Sequence, residues 1–151
     1  MNDFDNSMMK RAIALAKEAG EAGEIPVGAV ITRGEEILAE SANACETTCD
    51  ATAHAEIVAL SKACRALGTT RLSDCTLYVT LEPCPMCAGA LLHARVGRVV
   101  FAAKDARQGA LGSLINLPAY PLESRPKLDE GLFREESIAL LSDFFQKRRK
   151  K

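Results

Sequence analysis

Hydrophobic and polar residues follow each other along the chain in helical and strand-like periods, which predict the order of the elements. Small and apolar residues recur at helical spacing near the N-terminus: Met9, Ile13, Ala16 and then Ala19 or Gly20. They predict an amphipathic helix over residues 6–21. A β-rich run at residues 25–31 predicts a strand, a turn at Gly34 and Glu35 reverses the chain, and residues 37–40 return as a second strand.

The middle of the chain reads as a polar loop followed by a second helix. The loop covers residues 43–51, and the helix is predicted to begin at a cap on Asp50 or Thr52 and to end at Gly68. Its predicted buried stripe consists of Ile57, Leu60, Cys64 and Leu67. The alternatives for Gly28 in the first strand are a bulge and a close approach of a ligand or another backbone, and the sequence favours neither.

The rest of the chain adds three strands and two helices. A central strand is predicted over residues 75–80, a helix over 84–94 and a second buried strand over 96–101. A short edge strand over 127–128 and a final helix over 132–147 follow. The final helix is predicted to bury Ile138, Leu141, Phe144 and Phe145. This order predicts an α/β fold in which helices pack on the faces of one sheet. The first two strands should be antiparallel and the later ones parallel through helical crossovers.

Composition limits the class of protein without naming its chemistry. A chain of 151 residues is expected to form one domain over residues 1–151. No apolar run approaches the roughly 20 residues of a membrane span, and the acidic N-terminus does not resemble a signal peptide, so a cytoplasmic location is expected. The formal net charge of −1 excludes a bulk nucleic-acid binder, and any such partner must meet a local patch. The six cysteines favour metal binding over disulfides in a reducing compartment.

Two short segments carry the candidate chemistry. His54 and Glu56 form an H-x-E motif, and Cys84 and Cys87 form a P-C-x-x-C motif about thirty residues later. One imidazole and two thiolates suit a zinc ion, and three protein ligands leave its fourth position for water, as in catalytic sites. Zinc lowers the pKa of bound water to about 7, which provides hydroxide at neutral pH. Glu56 is the expected proton shuttle, and the motif pair is the signature of zinc nucleobase deaminases.

Both motifs are predicted at helix N-termini, whose partial positive charge favours thiolates. The separate segments also allow plainer interpretations. His54 alone would suit a helix start, and Cys84 and Cys87 alone would suit buried small residues, a redox pair or structural zinc. A fourth ligand from Cys45 or Cys49 would give a closed structural site. His93 is expected at the surface or an interface.

At this level of detail the sequence resembles the cytidine/deoxycytidylate deaminase superfamily, and most closely the bacterial tRNA-specific adenosine deaminases. The resemblance covers nearly the whole chain. It rests on residues 26–30, 52–56, 77–90, 98–101, 105–107, 112–114 and 140–145. The loop at Asp105 and the helix at residues 142–145 favour the tRNA enzymes. The chain departs from the family at residues 44–51, which are acidic and lack proline where related loops carry basic residues and Asp-Pro.

The resemblance implies a three-layer α/β/α cytidine-deaminase-like fold with a central mixed sheet of about five strands. It also implies a homodimer that converts adenosine to inosine at the wobble position of a tRNA anticodon. His54, Cys84 and Cys87 match the zinc ligands, and Glu56 matches the proton shuttle. Asn43 matches a residue that holds the flipped nucleoside, and Asp105 matches a residue that contacts a neighbouring ribose.

The sequence leaves two other functions open. A small-molecule deaminase acting on guanine, cytosine or a nucleoside would use the same zinc and the same mechanism. A zinc module that binds RNA or protein without catalysis would not need Glu56. The basic run at residues 147–151 suits tRNA phosphates, and equally suits the end of a solvated helix.

Overall fold

The computed structural model describes residues 1–122 and 124–149. Its strands are β1 (Gly28–Arg33), β2 (Glu36–Ala42), β3 (Cys75–Leu81), β4 (Arg98–Ala103) and β5 (Lys127–Glu130). Its α-helices are α1 (Asp3–Glu21), α2 (Cys45–Thr48), α3 (Ala55–Leu67), α4 (Pro85–His93) and α5 (Arg134–Arg149). A 3₁₀ turn covers Leu117–Ala119. None of these helices combines the length and the apolar character that crossing a membrane requires.

The five strands form one mixed sheet in the order β2-β1-β3-β4-β5. β1 pairs antiparallel with both β2 and β3, whereas β3–β4 and β4–β5 are parallel. The parallel pairs are joined by crossovers that contain α4 and the loop after β4. The predicted α/β class, mixed five-strand sheet, central β3 and edge β5 are confirmed.

Helices cover both faces of the sheet, which gives the predicted three layers. α1 contacts β1, β2 and β3, and α5 contacts β4, β3 and α1. α3 contacts β1 and β2 from the opposite side and touches α4. Alternate strand residues face opposite layers because of the pleat. Val30, Tyr78 and Val100 pack with α1, while their neighbours Ile31, Leu77 and Val99 belong to the larger core under α3 and α4.

Gly28 lies where α1 crosses β1. A Cβ at this position would lie 2.1 Å from the carbonyl oxygen of Ala12 and 2.8 Å from the amide nitrogen of Ala16, both in the backbone of α1. Of the two interpretations that the sequence allowed, the close approach of another backbone is therefore the right one. The bulge in this hairpin lies between Ile31 and Thr32 instead.

Several predicted boundaries were wrong for local reasons. α1 begins three residues earlier than predicted, because Asn2 and Asp5 form a reciprocal capping box. The predicted loop before α3 contains the short helix α2. The residue that caps α3 is His54, while Asp50 accepts hydrogen bonds from the backbone and hydroxyl of Thr52. The buried stripe of α3 is made chiefly of alanines, and Ile57, Cys64 and Leu67 are only half-buried.

The final helix buries much less than predicted. The one fully buried residue of α5 is Ser137, whose hydroxyl donates to the carbonyl oxygen of Thr80 on β3 at 2.5 Å. Ile138 is 50% exposed and Phe145 is 42% exposed, so these two predicted core positions were wrong. Leu141 and Phe144 are half-buried. Leu141 packs against the edge of the larger core and also lines a cleft, whereas Phe145 lines the cleft with 42% of its surface exposed.

A buried polar network ties the start of α1 to the sheet. The Asp5 carboxylate, only 3% exposed, accepts two hydrogen bonds from the Arg98 guanidinium and one from the Tyr78 hydroxyl at 2.6 Å. Arg98 also donates to Asp129 on the edge strand β5. The Asp5 carboxylate is paired with a cation and hydrogen-bonded on several sides, and these contacts offset the cost of removing its charge from water.

Candidate active site

Three side chains of the types that bind metal ions meet at one end of the sheet. The Nδ1 atom of His54 lies 3.6 Å from Sγ of Cys84 and 3.4 Å from Sγ of Cys87. The ligand atoms of the three residues lie within 4.8 Å of one another. Among the described residues this is the one such group of three that can hold a metal ion.

The spacing of the group fits zinc. Zinc binds thiolate sulfur at about 2.3 Å and imidazole nitrogen at about 2.0–2.1 Å in tetrahedral sites, which places the nitrogen and sulfur atoms about 3.5 Å apart. The two observed separations of 3.4 and 3.6 Å bracket that value. One nitrogen and two sulfurs are also a donor set that zinc prefers. The geometry therefore fits a zinc ion with three protein ligands.

The fold brings the group together by stacking two helix starts. His54 is the cap residue of α3, and Cys84 is the cap residue of α4, where Pro85 fixes the first helical position. Cys87, three residues after Cys84, shares its helix face. The predicted convergence of two helix N-termini is confirmed. Their free N–H groups and partial positive charge favour anionic ligands at this point.

The titratable groups of the site influence one another strongly. A hydrogen bond from Cys87 lowers the pKa of the Cys84 thiol to about 5, while the same interaction raises the pKa of Cys87. Glu56 is 4% exposed, and burial raises its pKa to about 7. Burial therefore gives the site, in Glu56, a carboxyl group able to exchange protons near neutral pH.

Most of the predicted site residues share one open cleft of about 850 Å³. Asn43, His54, Glu56, Cys84 and Asp105 all line it. Cys87 lies behind them, fully buried, against the His54 ring. Segments from four separate parts of the chain thus bring all six predicted residues to one place. The role of each residue remains a prediction.

The two cysteines of the atypical loop do not join the metal group. Cys45 donates through its thiol to the Asn43 side-chain oxygen at 3.2 Å, and Cys49 is exposed with its thiol near the Glu46 carbonyl. The closed four-ligand site that the sequence left open therefore has no support in the described structure. Cys75 is buried in the core, Cys64 is half-buried against it, and His93 is exposed at the end of α4.

The loop that carries Asn43 is held from beneath by a buried carboxylate. Glu24, 3% exposed, accepts from the backbone N–H groups of Glu46 and Thr47 and from the Thr47 hydroxyl. Burial alone would raise the pKa of Glu24, but these hydrogen bonds and the positive charge of Arg148 lower it. Glu24 therefore fixes the N-terminus of α2 beside the cleft.

Sequence reasoning missed several residues that line the cleft. They are Ile25, Met86, Lys104, Gln108, Leu141 and Phe145. Two of them, Leu141 and Phe145, carry a helical apolar pattern that normally indicates a core. The pattern was wrong for Phe145, whereas Leu141 packs against the core and lines the cleft as well. The resemblance of residues 140–145 to the tRNA enzymes was the available signal that this helix contributes to the site.

A cationic groove adjoins the cleft. Arg107, Ser142, Phe145, Arg148 and Arg149 line a second cavity of about 460 Å³, and Arg107 and Phe145 line both cavities. The Arg148 guanidinium lies 4.9 Å from the centre of the Phe144 ring, a cation–π contact. Of the predicted basic run, Lys147–Arg149 end α5, whereas Lys150 and Lys151 lie outside the described residues.

Comparison with known proteins agrees with this geometry. The model of the MafB19-like deaminase family matches residues 2–149. The tRNA-specific adenosine deaminase of Bacillus subtilis (strain 168) is 47% identical over 148 residues, which cover 97% of this chain and 92% of that protein.

Solved structures point in the same direction. A tRNA:A34 deaminase, studied for A-to-I editing at the wobble position of transfer RNA, superposes with a TM-score of 0.87 at 40% identity and covers 89% of this chain and 99% of its own. A guanine deaminase from Bacillus subtilis superposes with a TM-score of 0.66 at 38% identity and covers 99% of this chain and 95% of its own. The chain therefore belongs to the MafB19-like deaminase family and, within it, to the tRNA-specific adenosine deaminases.

Proposed function

We propose that this protein, acting as one domain over residues 1–151, converts adenosine to inosine by hydrolytic deamination at the wobble position of a tRNA anticodon. The observation that carries the proposal is the His54–Cys84–Cys87 group beside Glu56 at the base of an open cleft. This arrangement occurs in a chain that is 47% identical to a tRNA-specific adenosine deaminase over nearly its whole length.

His54, Cys84 and Cys87 are the proposed zinc ligands, one ion per chain. Bound there, zinc would act as a Lewis acid that lowers the pKa of water to about 7. The helix starts at His54 and Cys84 hold the three side chains in place and direct backbone N–H groups towards them. Cys87 is fully buried, so the protein shields the inner side of the group from solvent.

Glu56 is the proposed proton shuttle. Its carboxylate takes a proton from the attacking water and gives it to ring nitrogen N1 of adenine as the C6–O bond forms. It then passes the second water proton to the exocyclic amine, and the C6–N bond breaks with release of ammonia. One water is consumed, one ammonia leaves and inosine remains. Burial of Glu56 limits exchange of these protons with bulk solvent.

Asn43 and Asp105 are the proposed substrate-binding residues. The Asn43 side-chain oxygen accepts from the Cys45 thiol, which leaves the amide NH₂ to donate towards the cleft. One oxygen of Asp105, Oδ1, accepts from the backbone of Arg107 and Gln108 and so builds its own turn. A carboxylate at this point can also accept from a ribose 2′-OH, which distinguishes RNA from DNA.

The cationic groove supports RNA as the partner. Arg107, Arg148 and Arg149 supply positive charge next to the cleft, and Phe145 between them offers an aromatic face. Guanidinium groups suit phosphates, and exposed aromatic rings suit unstacked bases. An anticodon loop presents both, and its bases are not paired, so extruding one costs only a few kcal/mol.

We also propose a homodimer in the cytoplasm. Among the described residues, four exposed large hydrophobic side chains lie close together in sequence: Leu114, Ile115, Tyr120 and Leu122. Tyr120 is 58% exposed. Exposed apolar surface of this kind is typical of protein–protein contacts when it forms one patch, and these four side chains are the proposed contact.

The alternative is a small-molecule deaminase, favoured by the similarity to a guanine deaminase at 38% identity. Zinc and a proton-shuttling Glu would serve that reaction equally, so the test must vary the substrate. An anticodon stem-loop RNA with a wobble adenosine is assayed beside free adenosine, cytidine and guanine. We expect inosine at the wobble position, at least roughly 100-fold faster than turnover of any free compound.

Metal dependence is tested in the same assay. Removal of zinc by a chelator should abolish inosine formation, and added zinc should restore it. Cys84→Ser should lower zinc content, whereas Cys49→Ser, which changes an exposed thiol outside the group, should keep one zinc per chain. If guanine is deaminated rapidly and no inosine forms in the RNA, the small-molecule deaminase is the correct function.

A further inference from the structure

The buried carboxylate of Glu82 has no part in the proposed chemistry, yet it is among the most heavily hydrogen-bonded groups near the cleft. It follows β3 directly and is 2% exposed. Oε1 accepts from the backbone N–H of Asp105 at 3.2 Å, and Oε2 accepts from the N–H groups of Leu111 at 2.9 Å and Ser113 at 3.1 Å. The Ser113 hydroxyl makes a further short bond to Oε1.

All of these donors belong to one segment, residues 105–113, which follows β4. The hydrogen bonds reach its first residue and its last, so a single side chain fixes both ends of the loop. Between them, Gly109 packs directly on the carboxylate: a Cβ there would lie 2.4 Å from Cδ of Glu82. The Gly109 N–H also donates to the Asp105 carbonyl, which closes the first turn around the same point.

This loop forms one wall of the cleft. Asp105, Arg107 and Gln108 line the cavity, and Arg107 also lines the cationic groove. The Asp105 carboxylate is oriented by bonds from the backbone of Arg107 and Gln108. Glu82 holds the backbone at Asp105, and Asp105 in turn shapes the residues that follow it.

We propose that Glu82 is a positioning residue for RNA recognition, acting through Asp105 on the nucleotide next to the target base. The inference rests on the proposed function. A carboxylate is suited to this role because it accepts several N–H and O–H donors at once in a small volume. Glutamine at the same position would point its NH₂ group at backbone N–H donors, so the loop would shift.

The test separates substrate binding from chemistry. Glu82→Gln should raise KM for the anticodon stem-loop by roughly 10- to 100-fold, because a shifted loop of residues 105–113 loses its contacts with the RNA. The value of kcat should change by less than about threefold. Zinc should remain at one per chain, which shows that neighbouring Cys84 is undisturbed. Glu36→Gln, an exposed carboxylate in the hairpin at the far end of β1, is the matched control and should leave KM unchanged.

A double-mutant cycle tests the route of action. If Glu82 acts through Asp105, then Glu82→Gln should add little to the KM increase of Asp105→Asn. Ser113→Ala, which removes one donor and keeps the fold, should raise KM less and show the same non-additivity. Fully additive effects, unchanged KM in both variants, or loss of zinc with KM preserved would each overturn the inference. If the wild-type chain forms no inosine, the proposed function itself is wrong.

Discussion

At the residue scale, the site is defined by groups whose chemistry leaves few substitutes. His54, Cys84 and Cys87 supply soft and borderline donors at tetrahedral spacing, and Glu56 supplies a buried carboxyl beside them. A ligand can be exchanged for another donor only if its atom reaches the same point. The proposed role of Glu56 as proton shuttle sets a stricter requirement, because a shuttle must both accept and release a proton.

Glu56→Gln therefore provides the sharpest test at this scale. The amide keeps the size of the side chain but cannot carry the proton, so kcat should fall by at least roughly 10²–10⁴. Zinc content and the unfolding midpoint should stay close to those of the wild type. Glu35→Gln, in the exposed turn between β1 and β2, is the control and should keep full activity. Normal activity in the Glu56 variant would favour a non-catalytic zinc module.

Residue type and spacing were enough to predict His54, Glu56, Cys84 and Cys87 as site residues, since short motifs place these side chains at helix starts. Asn43 and Asp105 were predicted only through the resemblance to the deaminase family. Glu82 directly precedes the P-C-x-x-C motif, but the contacts of its carboxylate depend on donors 23 to 31 residues later in the chain. Such contacts are set by the path of a loop, which no local period records. Phe145 was missed for the opposite reason: its apolar pattern indicated a core where the fold leaves an open cleft.

At the element scale, the contact between α1 and β1 depends on the absence of a side chain at Gly28. Gly28→Ala should lower the free energy of unfolding by about 1–3 kcal/mol, because the added methyl meets backbone atoms that cannot turn aside. Chemical denaturation with a shared m-value measures this change in stability.

Gly89→Ala on α4 is the control, because no atom outside the helix's own backbone lies within 4 Å of a Cβ there. It should be neutral or slightly stabilising. Equal effects of the two substitutions would contradict the packing argument.

The order and type of the main elements were predictable, because each carries a clear period and a clear stop. Their boundaries were less so. The start of α1 depends on a reciprocal pair at Asn2 and Asp5, and the four-residue helix α2 depends on a carboxylate 22 residues away at Glu24. Both are set by side-chain hydrogen bonds whose geometry the hydrophobic pattern does not contain.

At the scale of the whole molecule, the network around Asp5 makes stability depend on pH. Hydrogen bonds from Arg98 lower the pKa of Asp5 well below its ordinary value of 3.8 in spite of burial, and the Tyr78 hydroxyl adds to the effect. A group whose pKa is lowered by folding stabilises the folded state fully above its ordinary pKa. That contribution is lost as the pH falls from about 4 towards the folded value.

Urea unfolding at pH 7 and pH 3.5 measures this dependence. Asp5→Asn should reduce stability at pH 7 and should show a smaller loss between the two pH values than the wild type. Asp3→Asn, which changes an exposed carboxylate in the same helical turn, should keep the wild-type difference. If the two variants have the same pH dependence, Asp5 does not carry the effect.

The two hydrophobic clusters on opposite faces of the sheet share no residue. The cluster beneath α1 contains Met8, Met9, Ala12, Val30, Tyr78, Val100 and Ala102, and none of these lines the cleft. Changes at separated sites usually add within about 0.3–0.5 kcal/mol. Residues of the cluster beneath α1 can therefore change in evolution, or be redesigned for thermal tolerance, while the residues of the cleft stay the same. Selection and engineering can then alter thermal stability and substrate specificity almost independently.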